Sequence, residues 1–302
     1  MDHRHCELPV QIMSTIGKTL LETASSLSQL RATLDAARAQ RWSIGLVPTM
    51  GALHEGHLSL VRAAKAECDV AVVSIYVNPT QFGPQEDLAR YPRTLPADLE
   101  LLASCAADVA FVPGNEEMYR PGYDTWVEPG AVAQPLEGQR RPGHFRGVAT
   151  VVLKLLNMVR PDVAYFGQKD YQQVQVIRQM VDDLNVPVKL RMCPTLREPD
   201  GLALSSRNRY LTPAQRQQAL VLWQSLVLAG QLVRQGQRDA GKIIEQMQAE
   251  IARAAEASID YVALVDPQTL APVCEIQGRT LAVLAVRIGA TRLIDNEILE
   301  PS

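Results

Sequence analysis

The sequence predicts an α/β protein, with a doubly wound parallel sheet followed by a smaller C-terminal α+β domain. Short apolar runs typical of buried parallel strands alternate with segments of helical periodicity through most of residues 43–192. Beyond Pro194 the alternation stops, and a polar, turn-rich segment leads into two helices and three strand-like runs. The 302 residues are long enough for one large and one smaller domain.

The first part of the chain contains five predicted helices and five predicted strands. In the first helix Leu27, Leu30 and Leu34 recur at helical spacing, after serines that can cap it. A region rich in glycine and proline, 114–143, interrupts the alternation. The helices are predicted at 25–40, 57–68, 94–106, 148–160 and 170–185, and the strands at 42–50, 69–78, 108–113, 162–167 and 186–192. This order favours a parallel sheet with helices on both faces.

The second part is predicted to be a small α+β unit. Two helices, 213–235 and 239–256, precede strand-like runs at 260–266, 280–288 and 291–299. We therefore divide the chain into 24–195 and 196–302, with a hinge near residues 194–197 and a C-terminal unit that can act as a lid. Residues 1–23 are weakly patterned, and we interpret them as an extension without fixed order.

Composition excludes several classes of function. The net charge of −3 and the absence of long like-charged runs give no reason to expect a nucleic-acid or membrane partner. The five cysteines are scattered and form no C-x-x-C pair, which indicates neither a zinc site nor a redox motif and favours a reducing compartment. Since no signal peptide or apolar span is present, we expect a cytoplasmic protein. Gly17-Lys18-Thr19 resembles the end of a P-loop, but residue 12 is Ile rather than Gly.

The strongest local signal is the H-x-G-H sequence from His54 to His57, between a predicted strand and a predicted helix. A helix N-terminus offers free backbone N–H groups to an anion, and Gly51 and Gly56 allow a close approach. Two imidazoles three residues apart can donate hydrogen bonds to charge that develops on a phosphate. The alternatives are a pair of surface histidines and a metal site, although no acidic or cysteine ligands lie at the required spacing.

Two further loops carry candidate phosphate ligands. Gly167-Gln168-Lys169-Asp170 follows a predicted strand, with Lys169 as a point charge and Asp170 as an oxygen ligand for Mg²⁺. The second loop, Leu204-Ser205-Ser206-Arg207, offers two hydroxyls and a guanidinium for a triphosphate. Alone, a Lys-Asp pair at a helix start is more often solvated and capping, and the second loop is equally compatible with an ordinary turn. The neutral amides of Asn78, Gln81 and Gln173 suit a small substrate with hydroxyls and a carboxylate, or simply a polar surface.

Around the H-x-G-H, PTMGALHEGHLSLV resembles the nucleotidylyltransferase superfamily, which shares this motif and a lysine/serine loop with class I aminoacyl-tRNA synthetases. A closer resemblance is to the pantothenate synthetase family. It extends through VNPTQFGPQEDLARYPRT, HFRGVATVVLKLL, FGQKDYQQ and REPDGLALSSRNRYL to IDYVALVDPQTL, and covers about residues 24–298. The resemblance implies a Rossmann-like fold and ATP-dependent joining of pantoate to β-alanine through a pantoyl-adenylate, with release of AMP and pyrophosphate.

The resemblance also implies roles for individual residues. His57, His54 and Lys169 are expected to be catalytic, Gln81 to bind pantoate and β-alanine, and Gln173 and Asn78 to bind pantoate. Further positions of the pocket match Tyr91, Asp98 and His144. Some relatives have two adjacent acidic residues where this chain has Ala97 and Asp98, so the resemblance does not imply that Asp98 is essential. The expected ATP ligands are Met50, Gly51, Ala52, Leu53, His54, Glu55, Gly56, His57, Gly167, Gln168, Lys169, Asp170, Leu196, Leu204, Ser205, Ser206 and Arg207.

The resemblance implies ATP and Mg²⁺ as the reaction's nucleotide and metal, and a homodimer as the assembly. One rival prediction is a nucleotidylyltransferase of cofactor biosynthesis that leaves the nucleotide on its product. A catalytically silent nucleotide-binding module is the second, although the intact H-x-G-H, lysine and serine elements argue against it. A tRNA-binding synthetase fragment is the third, and the missing basic face disfavours it.

Overall fold

The structure, a computed structural model, describes residues 20–84 and 86–301. It contains a six-stranded parallel sheet and a separate three-stranded antiparallel sheet, which confirms the predicted fold class. The P-loop-like Gly17-Lys18-Thr19 and most of the predicted N-terminal extension lie outside the described residues. Among the described residues, no helix combines the length and apolar character needed to cross a membrane.

The parallel sheet has the strand order β1-β4-β3-β2-β5-β6. Its strands are β1 Glu22–Ala24, β2 Ile44–Thr49, β3 Val70–Ile75, β4 Val109–Phe111, β5 Val163–Gly167 and β6 Lys189–Cys193. Strands β2 to β4 are buried along their whole length, apart from the half-buried Pro48, and they are apolar except for Thr49 and Ser74. The chain builds outward from β2 to β4 and then crosses to β5 on the other side of β2, so the order reverses between β2 and β5.

Helices cover both faces of this sheet. Helices α2 (Glu55–Glu67) and α3 (Leu95–Ser104) pack in one apolar cluster with β2 and β3. Helices α1 (Leu27–Ala39), α6 (His144–Val159) and α7 (Tyr171–Asp183) pack in the cluster on the other face. Two short helices, α4 (Asn115–Met118) and α5 (Glu137–Arg140), lie within the predicted interruption.

The second part of the chain folds around the antiparallel sheet β7-β8-β9. Its elements are α8 Pro213–Gln218, α9 Leu220–Arg234, α10 Ala240–Ile251, β7 Ala257–Val265, β8 Thr280–Ile288 and β9 Thr291–Leu299. Helices α9 and α10 pack on one face of this sheet around their own apolar core. Tyr171 of α7 packs with Leu281 and Val283 of β8, which joins the two parts through a small apolar cluster.

Two details differ from the sequence prediction. Strand β1 pairs in parallel with β4 and spans the predicted boundary at 23/24, because three residues are too few to show an alternating pattern. The helix predicted at 213–235 is interrupted at Ala219, between α8 and α9. The division into two domains remains a proposal, for which the two separate sheets and cores are the structural support.

Candidate active site

The candidate site is a cavity at the carboxyl ends of β2 and β5, where the strand order reverses. In open α/β sheets ligands bind at this position, because the loops after the two strands diverge and leave a crevice. The part of the chain after Pro194 closes the crevice on its other side. Most of the predicted site residues line this cavity: Met50, His54, Gly56, His57, Asn78, Gln81, Gly167, Lys169, Asp170, Gln173, Leu196, Leu204, Ser205, Ser206 and Arg207.

The other predicted ATP ligands lie outside the cavity lining: Gly51, Ala52, Leu53, Glu55 and Gln168. Residues 51–53 are buried behind the cavity wall. The Glu55 side chain is exposed and forms an ion pair with Arg62. The geometry therefore gives no support for side-chain contacts between these residues and ATP. For residues 51–53, contact through the backbone remains the prediction.

Asp98 holds the loop between β2 and α2 in place. Its buried carboxylate accepts hydrogen bonds from the backbone N–H groups of Ala52 (3.0 Å) and Leu53 (2.8 Å). The backbone of Gly51 and Ala52 is left-handed, with φ of +77° and +50°. A Cβ on Gly51 would lie 3.0 Å from the Asp98 carboxylate, so a glycine is needed both for the turn and for this close approach.

The two histidines begin helix α2 and share one hydrogen-bonding pattern. The Nδ1 atom of His54 accepts from the backbone N–H of Gly56 at 3.1 Å, and Nδ1 of His57 accepts from the N–H of His54 at 3.3 Å. A nitrogen that accepts carries no proton, so the proton of each neutral ring is on Nε2. A Cβ on Gly56 would lie 2.9 Å from the His54 ring, so glycine is required here as well.

Burial keeps both imidazoles uncharged at neutral pH. Desolvation, reinforced by the positive charge of Lys169, lowers the pKa of His54 to about 4. Desolvation and the neighbouring His54, whose ring centroid lies 4.1 Å away, lower the pKa of His57 to about 3. The site therefore presents two neutral Nε2–H donors beside a lysine, which suits an oxyanion that gains charge during a reaction.

The loop after β5 brings Lys169 and Asp170 to the same cavity. The Lys169 ammonium lies 3.6 Å from the Asp170 carboxylate. Among the described residues, no three side chains of the metal-binding types come together. A Mg²⁺ ion is commonly held by one or two carboxylates together with substrate phosphates, and the half-exposed Asp170 carboxylate fits that kind of site.

The serine loop, which runs from Leu204 to Arg207, contacts the first part of the chain. The Arg207 guanidinium donates two hydrogen bonds to the carboxylate of Asp87, at 2.9 and 3.1 Å. The hydroxyl of Ser206 lies 3.5 Å from that of Tyr91. Ser205 caps the following 3₁₀ helix by accepting from the Arg207 backbone. The Arg207 charge is thus partly engaged by Asp87 while the loop faces the cavity.

Of the three predicted amides, Asn78 is the most constrained. It is buried, and its Nδ2 donates to Gln81 Oε1 at 3.0 Å and to the Gly147 carbonyl at 3.2 Å. Its Oδ1 accepts from the Tyr119 hydroxyl at 2.9 Å. These contacts orient Gln81, and pantoate binding by Asn78 itself remains a prediction. Among the described residues, the Gln173 amide makes no side-chain hydrogen bond and lines the cavity.

The sequence analysis did not identify Arg141, which lines the cavity. The Arg141 guanidinium donates to His144 Nε2 at 3.0 Å and forms two hydrogen bonds with the Glu86 carboxylate, at 2.8 and 2.6 Å. Nδ1 of His144 donates to the Gln81 carbonyl at 2.9 Å. Because burial and Arg141 lower the pKa of His144 to about 4, this ring is a neutral link from Arg141 to Gln81. Arg141 alone carried no recognisable signal in the sequence.

Fold and site together define a class: a nucleotide-binding α/β enzyme with an H-x-G-H turn at the reversal of strand order. Residues 22–298 match the family model described as pantoate-beta-alanine ligase. The chain belongs to this family, whose enzymes catalyse the ATP-dependent condensation of pantoate with β-alanine. The rival prediction of another nucleotidylyltransferase is not favoured.

Similar proteins cover nearly the whole chain. The pantothenate synthetase of Moorella thermoacetica is 55% identical over 280 residues, which is 93% of this chain and 99% of that protein. The one from Thermotoga neapolitana is 54% identical over 274 residues, covering 91% and 98%. The Thermus thermophilus pantothenate synthetase structure has a TM-score of 0.89 at 45% identity, covering 93% and 100%. The Francisella tularensis ligase, solved in complex with beta-gamma ATP and β-alanine, has a TM-score of 0.76 at 38% identity, covering 92% and 98%.

Proposed function

We propose that the cavity between β2, β5 and the C-terminal part carries out both steps of the ligase reaction, with His54, His57 and Lys169 acting on the phosphates. The observation that carries this proposal is the pair of neutral imidazoles at the α2 N-terminus, each with its proton on Nε2. Donors fixed by the backbone need no reorganisation when charge develops on the phosphate.

In the first step the pantoate carboxylate, which is ionised at neutral pH, attacks the α-phosphorus of ATP without a general base. An acyl–phosphate bond forms as the bond from the α-phosphorus to pyrophosphate breaks. Lys169 and the two imidazoles stabilise the negative charge on the phosphoryl oxygens, and the pocket holds the reactants in line. Leu196, partly exposed beside this cavity, offers an apolar surface to the adenine ring.

In the second step the neutral amine of β-alanine attacks the acyl carbon. A C–N bond forms, the C–O bond to AMP breaks, and the amine loses one proton. Gln81 is the residue we assign to both pantoate and β-alanine, and Gln173 the second ligand of pantoate. The complex of the Francisella tularensis relative with beta-gamma ATP and β-alanine supports these substrates. Both ring nitrogens of His144 are engaged by Arg141 and Gln81, so we do not assign His144 as the base.

We propose Mg²⁺ as the metal, with Asp170 as its protein ligand. Bound there with the phosphates, the ion would withdraw charge from the triphosphate. The Asp170 carboxylate lies beside Lys169 in the cavity, and its side chain is 46% exposed, so it has free lone pairs for a metal. Replacing Asp170 with Asn should raise the Mg²⁺ concentration needed for half-maximal activity.

Three further assignments are also proposals. The C-terminal part acts as a lid over the adenylate, as its docked serine loop suggests. A homodimer is supported by the family membership, and sedimentation velocity would test it. A cytoplasmic location is supported by the requirement for ATP and by four free cysteines among the described residues.

The reaction is tested by measuring pyrophosphate, AMP and pantothenate with ATP and pantoate, with β-alanine added or left out. We expect AMP and pantothenate in equal amounts, and pyrophosphate exchange that needs pantoate but not β-alanine. A product that retained the nucleotide would contradict the proposal and support a nucleotidylyltransferase. No ATP consumption with any combination of substrates would support the silent nucleotide-binding module.

A further inference from the structure

Two neighbouring residues of β9, Asp295 and Asn296, contact two different loops of the site. Both are buried in a strand that forms the edge of the antiparallel sheet. We propose that this pair, the β9 bracket, positions the two ATP-binding loops relative to each other. The inference rests on the proposed function of those loops, and both bracket residues are positioning residues.

The Asn296 arm holds the loop that carries Lys169. Its Nδ2 donates to the carbonyl of Gln168 at 3.0 Å and to the carbonyl of Lys169 at 2.9 Å. The two carbonyls belong to the peptide groups on either side of Lys169, so the amide fixes the backbone from which the ammonium extends. Asn296 is 2% exposed, and loss of a hydrogen bond in such a dry position leaves the carbonyls without water as a substitute.

The Asp295 arm holds the segment that carries Leu196 and the serine loop. Its carboxylate accepts two hydrogen bonds from the Arg197 guanidinium, at 2.6 and 3.0 Å. Arg197 also donates to the Gly201 carbonyl at 3.2 Å and lies over the Trp223 ring at 3.8 Å. The segment folds back on itself through a bridge between Arg197 and Ala203. The ion pair therefore holds the Arg197 end of this turn, and the bridge joins that end to Ala203.

The two arms extend from successive residues of one strand. Asn296 contacts the 167–170 loop, and Asp295 contacts Arg197 at the start of the 196–207 segment. Two adjacent buried polar residues are costly unless each is paired. Here the Asp295 carboxylate and the Asn296 Nδ2 are both paired with loops of the site, through hydrogen bonds to residues 98 and 128 positions earlier in the chain, while Asn296 Oδ1 is buried without a partner among the described residues. A single strand therefore contacts both proposed phosphate-binding loops and contributes to the spacing between them.

The test is a double-mutant cycle between Asn296→Ala and Lys169→Ala, read by pantoate-dependent pyrophosphate exchange. We expect Asn296→Ala to lower kcat/KM for ATP by about 10- to 100-fold, the loss typical of two buried hydrogen bonds. The KM for pantoate should stay within about twofold. Because Asn296 acts through the Lys169 loop, its effect should shrink to less than about threefold in the Lys169→Ala background.

Thr291→Ala is the matched control, because Thr291 is a buried polar residue at the first position of the same strand. The fold-change in kcat/KM caused by Thr291→Ala should be the same in the parent enzyme and in the Lys169→Ala background, whatever its size. Arg197→Lys, which breaks the two-pronged contact of the other arm, should raise the KM for ATP equally in both backgrounds. If Asn296→Ala fails to fold, Asn296→Asp keeps the shape, places an oxygen against the two carbonyls, and should show the same coupling.

Two results would overturn the bracket. One is that the effects of Asn296→Ala and Lys169→Ala on kcat/KM multiply fully in the double variant. The other is that Asn296→Ala lowers Tm but leaves kcat/KM for ATP unchanged. Near-normal activity of Lys169→Ala alone would instead contradict the proposed function of Lys169. In that event the bracket is judged by the kcat/KM for ATP of Asn296→Ala and Arg197→Lys, and normal values in both would overturn it.

Discussion

At the scale of single residues, the candidate site depends on protonation states that the backbone imposes. His54 and His57 each accept a backbone hydrogen bond on Nδ1, which leaves the Nε2 proton free for a ligand. A charged imidazolium would have to give up that contact and be desolvated. In the proposed function the two rings therefore act as fixed neutral donors, and Lys169 supplies the positive charge.

Replacing His57 with Ala should slow adenylate formation by about 10²–10³-fold, the usual loss for one preorganised donor to a transition state. The measurement is single-turnover formation of pyrophosphate from ATP and pantoate. Ser104→Ala, an exposed helix-end change on α3, is the control for handling and folding. Near-normal single-turnover rates in His57→Ala would remove His57 from its catalytic role.

The lowered pKa values of His54 and His57 can be observed directly. Both groups have folded-state pKa values, about 4 and about 3, below the unfolded value of 6.5. As pH falls from 6.5 towards 4, the unfolded chain takes up protons that the folded chain does not, so stability falls over this window. Histidine-labelled NMR at pH 5.5 should show both rings neutral with the proton on Nε2. An imidazolium signal from either at that pH would contradict this prediction.

The two glutamines should control the use of pantoate. Gln81→Ala and Gln173→Ala leave polar groups of the substrate unpaired, at about 1–3 kcal/mol for each group. We expect kcat/KM for pantoate to fall by about 5- to 150-fold, with ATP binding little changed. The measurement is pyrophosphate exchange at varied pantoate, with calorimetry for ATP. A variant that kept pantoate affinity but lost ATP affinity would show that the assignment of the pocket is wrong.

At the scale of elements, the site consists of loop ends that other elements hold in position. The turn from β2 to α2 is held by Asp98 on α3, and the loop after β5 by Asn296 on β9. Gln81 is oriented by Asn78 within its own turn. Each contact fixes backbone geometry next to a residue that faces the cavity, so substitutions behind the site should affect catalysis.

Asp98→Asn tests the support of the β2–α2 turn. The amide can accept only one of the two N–H groups of Ala52 and Leu53 and directs its own NH₂ at the other. We expect the free energy of unfolding to fall by about 2–3 kcal/mol, the range for hydrogen bonds to a charged group, and the KM for ATP to rise. Denaturant unfolding and pyrophosphate exchange measure these effects. Asp35→Asn, on the exposed face of α1, is the control, and an equal loss in both variants would contradict this role for Asp98.

At the scale of the whole molecule, the two parts meet on two sides of the cavity. On one side β9 holds the Lys169 loop. On the other side the ion pair between Arg207 and Asp87 docks the serine loop. Opening of the lid about the predicted hinge near residues 194–197 would require the Arg207–Asp87 pair to separate, while the β9 contact can persist. We expect the angle between the two parts to differ between the apo and the adenylate-bound enzyme.

Asp87→Asn should loosen this closure. With the Arg207 contact weakened, water should reach the adenylate more often, and AMP should exceed pantothenate in the products. The ratio of AMP to pantothenate, measured at saturating substrates, should be close to one in the parent enzyme and higher in the variant. Asp35→Asn again serves as the control. A ratio of one in Asp87→Asn, or identical domain angles in apo and adenylate-bound structures, would contradict the lid.

The sequence by itself determined the alternation of strands and helices and the loops after β2, β3 and β5. Local patterns are sufficient for this, because apolar periodicity and turn residues act over a few positions. Family membership also followed from motifs such as H-x-G-H and their neighbouring blocks, and the match to residues 22–298 confirmed it. The sequence did not predict strand β1, because its three residues show no strand pattern by themselves and form a strand only by pairing with β4.

Only the tertiary structure decided how the site residues are held and charged. The contacts of Asp98 with Leu53, of Arg207 with Asp87 and of Asn296 with Lys169 join residues 45, 120 and 127 positions apart. A pattern of neighbours in the chain carries no information about such pairs. The neutral state of His54 and His57 is likewise decided by burial, because desolvation depends on everything packed around a ring and not on the residues beside it in the sequence.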